Sequence, residues 1–302
     1  MSRIGASIAD AVGRTPLVRL ERLEREVPGV ELWAKLELCN PGGSVKDRPA
    51  LQMLLDAESD GRLRTGMAII DSTSGNTGIA LALFGGARGY RVSLVMPDNV
   101  SSARKALVAA YGAEIIYSDP LEGSDGAIRL VRELVTKSPD RYFYTDQYGN
   151  PSNPRAHFLG TGAEIAAELG ERLTHFVTGI GTSGTVIGTG RRLKRHRPDI
   201  RVVGVEPDDA FHGLEGLKFL ATSIVPRIYD PGVLDETLFI DTESGWRTTD
   251  RLAREEGMLA GHSSGANIEG ALRIARRLVA AGQRGVIATI VCDHAARYVE
   301  PR

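Results

Sequence analysis

Short runs of β-branched and aliphatic residues alternate along the whole chain with stretches whose apolar positions recur at helical spacing, the pattern of parallel sheets covered by helices. Strands are predicted over 31–38, 68–72, 91–96, 114–118, 175–181, 201–206 and 285–292. Between them the helical stripes are one-sided. Ala50, Met53, Leu54 and Ala57 share one face of a helix whose first turn holds Lys46 and whose end near Gly61 suits a glycine cap. Ser101 and Ser102 precede ARKALVAAYG as N-caps, because a hydroxyl there accepts from an otherwise orphaned N–H. YGNPSNP (148–154) interrupts the periodicity near the midpoint and predicts a boundary between two α/β halves. No internal repeat is present.

Composition narrows the chemistry. Of 302 residues 42% are hydrophobic and 25% charged, and 37 Lys+Arg against 38 Asp+Glu leave a net charge of -1, which excludes disorder as the main state. A nucleic-acid binder or an anionic-membrane binder needs a basic field, so neither is expected and small-molecule chemistry is. Cys39 and Cys292 are too few for a disulfide framework and have no zinc-ligand spacing, which predicts a reducing cytoplasm. No apolar run approaches the roughly 18 residues that span a bilayer, and MSRIGASIAD carries no targeting pattern. The unusual figure is 35 glycines, about 12% against a typical ~7%, concentrated between apolar runs where loops would be shaped around a ligand.

Two such loops carry chemistry. STSGNTG (72–78) lies between a predicted strand and a helix, where small residues and the helix dipole together offer a site for a carboxylate or phosphate; an ordinary capped turn reads the same way. GIGTSGT (179–185) is a plausible phosphate cup. Gly179, Gly181 and Gly184 also spell GxGxxG, and Glu206 ends the next strand as a ribose ligand would, so a NAD-binding oxidoreductase is a rival. Lys46, in NPGGSVKDRPA, helps to separate them. Burial and the positive helix end both disfavour an ammonium there, and a neutral amine forms a Schiff base; the competing reading is a solvated lysine paired with Asp47.

AVGRTPLVRL (11–20), NPGGSVKDRPA, TSGNTG, QYGNPSN (147–153), GIGTSGT and GHSSG (261–265) stand in the order found in the cysteine synthase and cystathionine β-synthase family of fold-type II pyridoxal-phosphate enzymes. The resemblance spans nearly the whole chain. It implies a tryptophan synthase β-like α/β fold, two open parallel-sheet domains with the cofactor cleft between them. Residues 7–295 would form one catalytic unit, with 40–149 as a smaller mobile subdomain and 7–39 plus 150–295 as the larger one. It further implies that Lys46 forms the internal aldimine and shuttles the α-proton, that Asn76 bonds the ring hydroxyl, and that Gly181, Thr182, Ser183, Gly184 and Thr185 hold the phosphate. Ser263 would face the pyridine nitrogen, and Thr73, Ser74, Thr77 and Gln147 would clamp the substrate α-carboxylate. A neutral serine at the ring nitrogen makes the ring a weaker electron sink, which favours β-elimination and replacement over transamination.

The implied reaction is β-replacement of an O-activated serine by a sulfur nucleophile, through an aminoacrylate, to give L-cysteine. FHGLEGLKFL (211–220) most resembles the CysM-type O-phosphoserine sulfhydrylase, which has arginine where Lys218 falls, so Lys218 is expected to meet a phosphate; O-acetylserine is the alternative substrate. Three features depart from the family pattern: Asp71 and Ser72 replace Glu-Pro, His262 replaces a small apolar residue and is expected to be buried and hydrogen-bonded, and 293–302 lacks the usual extended tail. The resemblance implies a homodimer, with a thiocarboxylated sulfur-carrier protein or a serine acetyltransferase tail as partner. Other nucleophiles would make the chain a cystathionine β-synthase or a diaminopropionate synthase.

Overall fold

A computed structural model describes residues 5–298; the first four residues of the stretch read for targeting and the last four of 293–302 lie outside them. The chain opens with β1 (Leu17–Arg19) and β2 (Val30–Leu36). It continues through α1 (Asp47–Ser59), β3 (Ala68–Ser72), α2 (Asn76–Ala87), β4 (Arg91–Pro97), α3 (Ser102–Ala110), β5 (Glu114–Ser118), α4 (Gly123–Lys137) and β6 (Tyr142–Tyr144). Next come α5 (Ser152–Leu159), α6 (Thr161–Leu169), β7 (His175–Gly179), α7 (Gly184–His196), β8 (Arg201–Pro207) and β9 (Glu236–Ile240). The last elements are α8 (Thr242–Glu255), α9 (His262–Ala280) and β10 (Gly285–Val291).

Every predicted strand is present. The run 31–38 stops early, because 37–39 wind into a 3-10 turn that lets Glu37 accept from Thr15 Oγ1 (2.8 Å) and Asn40 Nδ2 (2.9 Å). Gly61 follows the C-cap of α1 at φ +78, the left-handed conformation expected of it. Lys46 is the N-cap of α1 rather than part of its first turn. Ser101 occupies the N-cap of α3, but its hydroxyl makes no capping hydrogen bond, and Ser102 already belongs to the helix.

The chain forms two compact units, residues 5–12 with 46–153 and residues 13–45 with 154–298. In the smaller unit the strand order is β5-β4-β3-β6, all parallel. Side chains of successive strand residues point to opposite faces. Ile69 and Leu94 therefore join Leu54, Leu81 and Phe84 beneath α1 and α2, while Ile70 and Val95 join Val131 of α4 and Tyr142 on the other face. All five residues of β3 are buried, as a parallel strand covered on both sides must be. The chain lays β4 and β5 on one side of β3 and returns with β6 on the other. This reversal opens a crevice at the C-terminal ends of β3 and β6, where ligands of open α/β sheets bind.

The larger unit repeats the design with six strands in the order β1-β2-β10-β7-β8-β9, parallel except for β1 against β2. Val177, Val203, Val205 and Ile287 face Leu252, Ile268 and Leu272 of α8 and α9. Phe176, Val202 and Ile290 face Ile165, Val186 and Leu193 of α6 and α7. Its reversal falls between β7 and β10. On β2, Lys35 is fully buried, its ammonium donating to Thr15 O (2.7 Å) and pairing with Glu168 (2.9 Å) and Glu164 (3.1 Å). Among the described residues no helix is long and apolar enough to cross a membrane.

Candidate active site

In the smaller unit the predicted residues gather where the strand order reverses. Thr73 N–H donates to Val95 O (3.0 Å), which fixes the loop after β3 to β4. Gly75 is the N-cap of α2, so Asn76 and Thr77 open the helix with their amides unclaimed by its ladder. Thr77 Oγ1 donates to Gln147 Oε1 (2.8 Å), joining the loop after β3 to the turn after β6, and both residues are buried. Thr73, Ser74 and Asn76 are half-buried, as is Lys46, whose carbonyl accepts Ala50 N–H (3.0 Å).

Asp71 underpins this cluster. Its carboxylate, 1% exposed, accepts from Ser72 N–H (2.7 Å), from the Thr145 hydroxyl and from Gln147 N–H (3.4 Å). Burial pushes its carboxyl up to about 7 against the pull of these hydrogen bonds. The sequence marks Asp71 only as a departure from the family; its task of tying β3 to 145–147 comes from tertiary structure.

In the larger unit GIGTSGT follows β7. Ile180 N–H donates to Val205 O (2.9 Å), and Ser183, the N-cap of α7, sits at φ +69. A non-glycine residue in this region costs on the order of 1 kcal/mol and marks a loop held in one shape. The loop leads straight into the start of a 13-residue helix, whose first amides and dipole are the setting in which anion-binding nests form. Within it the Ser183 hydroxyl is buried and has no hydrogen-bond partner among the described residues. A Cβ on Gly181 would lie 2.2 Å from Gly216 O, and one on Gly179 would lie 2.3 Å from Leu217 Cδ2. The 213–218 segment thus closes directly onto the loop. Lys218 N–H donates to Ile180 O (2.8 Å), and its side chain is half-buried.

α9 starts nearby. A Cβ on Gly216 would lie 3.9 Å from Ser263 Oγ, so the buried Ser263 borders the same segment that covers Gly181. Ser264 Oγ accepts Cys292 N–H (2.9 Å), fixing the first turn of α9 to the end of β10. One expectation, for His262, is corrected, and the rival reading of Glu206 loses its support. His262, the first residue of α9, is half-buried and lies between the rings of Trp246 (5.4 Å) and Tyr298 (5.5 Å), with no side-chain hydrogen bond among the described residues. Glu206 accepts Leu220 N–H (2.8 Å), so the carboxylate a dinucleotide ribose would need already anchors the backbone beyond Lys218. One contributor escapes sequence reasoning: the buried His157 on α5 lies 3.0 Å from Thr161 Oγ1 and 3.3 Å from Thr185 Oγ1, bracing the last hydroxyl of the nest. A lone histidine carries no spacing signal.

A backbone cup over an obligatory glycine, an unsatisfied buried hydroxyl and a buried serine beside the covering segment fit a phosphate ester with an attached ring. Residues 8–293 match the model of the family "Pyridoxal-phosphate dependent enzyme". The chain is 52% identical over 295 residues to a cysteine synthase of Aquifex aeolicus, covering 97% of this chain and 90% of the relative. It is 40% identical to cysteine synthase B of Escherichia coli, covering 97% and 94%. The crystal structure of a cysteine synthase from Entamoeba histolytica superposes with a TM-score of 0.92 at 36% identity, covering all of this chain and 93% of that one. The chain belongs to the cysteine synthase family of pyridoxal-phosphate dependent enzymes.

Proposed function

We propose that this chain makes L-cysteine from O-phosphoserine, with Lys218 receiving the substrate's phosphate. It is a pyridoxal-phosphate dependent transferase of the cysteine synthase type, acting by β-replacement on an activated serine. The cofactor, when bound, supplies the electron sink that lets an α-proton and a β-substituent leave. The remaining tasks belong to the chain. Lys46 Nζ holds the cofactor aldehyde and carries the α-proton. The amides of 181–185 and the Ser183 hydroxyl take the phosphate, whose charge the start of α7 favours. Ser263 Oγ meets the ring nitrogen with a neutral hydrogen bond, and Asn76 meets the ring hydroxyl. Thr73, Ser74, Thr77 and Gln147 orient the α-carboxylate.

The substrate assignment rests on one observation, the anchoring of half-buried Lys218 to Ile180 beside the nest. Lys218→Ala is expected to lower kcat/KM for O-phosphoserine by about 1.5 to 3 kcal/mol, roughly ten- to hundredfold, and to spare O-acetylserine. Equal losses with both esters would refute the assignment. The same reading assigns a homodimer, a reducing cytoplasm consistent with two free cysteines, and a sulfur-carrier protein or a serine acetyltransferase tail as partner. Supplying sulfide, a thiocarboxylated carrier, homocysteine or an amine and weighing the products by mass spectrometry identifies the nucleophile.

A further inference from the structure

The Asp71 carboxylate is buried at the crevice of the smaller unit and makes no ion pair among the described residues. Among the described residues its hydrogen-bond donors are the Ser72 amide, the Thr145 hydroxyl and the Gln147 amide. Gln147 in turn accepts from Thr77 with its side chain, so one residue links Asp71 to the loop assigned to the substrate. Burial leads in raising this carboxyl, and α1, which shares the apolar layer of Ile69 on this face of β3, starts with Lys46 at its N-cap followed by Asp47 and Arg48. The turn after β6 contributes Asp146, whose negative charge opposes ionisation of Asp71, and the phenols of Tyr144 and Tyr148, which burial first and the Asp71 charge second raise above their ordinary range. From α4 come Asp125, acting on Tyr148, and Arg132, acting on Tyr144. β4 presents Leu94 and Val95 to β3, and α2 contains no charged residue until its C-cap, Arg88.

We propose that Asp71 is a positioning residue that takes up a proton from solvent when an α-carboxylate binds the 73–77 loop, so that substrate binding is coupled to protonation at this site. The inference rests on the reading of Thr73, Ser74, Thr77 and Gln147 as the carboxylate clamp. A second negative charge arriving within a few residues of a buried carboxylate disfavours its ionisation. The proton adds to Asp71 Oδ2, the oxygen that faces the Thr145 hydroxyl, and no covalent bond between heavy atoms changes. Once protonated, the carboxyl still accepts from Ser72 and Gln147. It also gains an O–H that can donate to the Thr145 hydroxyl, reversing that bond without moving the loop. Because this carboxyl is poised near pH 7, the coupling falls in the range where the enzyme is measured.

The test uses the holoenzyme with L-serine, which carries the α-carboxylate but a poor leaving group. Binding is followed by the cofactor's visible absorption and proton uptake by calorimetry in buffers of different ionisation enthalpy. Wild type is expected to take up a substantial fraction of one proton at pH 7.5 relative to Asp71→Asn, which keeps an acceptor but does not titrate. Its dissociation constant should weaken by several-fold to tenfold against that variant between pH 6.5 and 8.5. Identical uptake and identical pH slopes would overturn the proposal. Should Asp71→Asn fail to fold, carboxyl-13C NMR of wild type decides: the Asp71 resonance must titrate at higher pH with L-serine than without it. Thr77→Val separates the underlying reading, since weaker binding at every pH supports the clamp, while unchanged binding removes the clamp whatever Asp71 does.

Discussion

At the scale of single residues, burial decides more than identity does. An unfolded aspartate titrates near 3.9, whereas Asp71 does so at about 7 in the folded chain, so between these values the native state holds more protons than the unfolded one. Stability from this group is therefore full below about pH 4, falls as pH rises, and reaches its lowest level above about pH 7, a change of a few kcal/mol at ~1.4 per unit. Urea unfolding at pH 5 and pH 8 should show Asp71→Asn gaining on wild type at the higher pH, and parallel curves would contradict it. The residues proposed for the site, Lys46, Thr77, Ser183 and Ser263 among them, could be named from the sequence because each lies in a short signature at an element boundary and the signatures stand in the family's order. The roles of Asp71 and His157 were not legible there: their partners Thr145, Gln147 and Thr185 lie 74, 76 and 28 residues away.

At the scale of elements, the reversals of strand order place the chemistry. The 68–72 and 114–118 strands match β3 and β5 because a glycine stands two residues before each and a polar residue directly after each, and the period of two sorts their side chains between two cores. β1 and β6 escaped notice because three residues cannot display a period. β9 escaped because it is an edge strand with only Leu238 and Ile240 buried. The loop after β7 is constrained from above by the 213–218 segment. Gly181→Ala would thrust a methyl group into Gly216 O, against backbone rather than a movable side chain. Overpacking of this kind costs about 1 to 3 kcal/mol. Titration of the apoenzyme with pyridoxal phosphate should reveal binding weakened by roughly ten- to hundredfold, with the far-ultraviolet circular dichroism retained. Unaltered affinity would mean that the cup does not carry the phosphate.

At the scale of the whole molecule, each unit has its own sheet and its own apolar layers on both faces, so each contains the means of its own stability. The alternation of strands and helices announced this architecture, but which strands share a sheet depended on pairings between distant segments, such as β10 with β2, that no local pattern encodes. The Lys35 ion cluster, formed entirely within the larger unit, offers a way to watch that unit alone. Removing Glu164 or Glu168 would leave a buried charge short of a partner, which is where large destabilisation originates. In the intact protein the amine is sealed from reagents that acylate exposed lysines. Its tagging rate, read by peptide mapping over time, is then a clock for the breathing of the β2 layer: it should lag far behind surface lysines such as Lys137 under native conditions and catch up only as denaturant opens the fold.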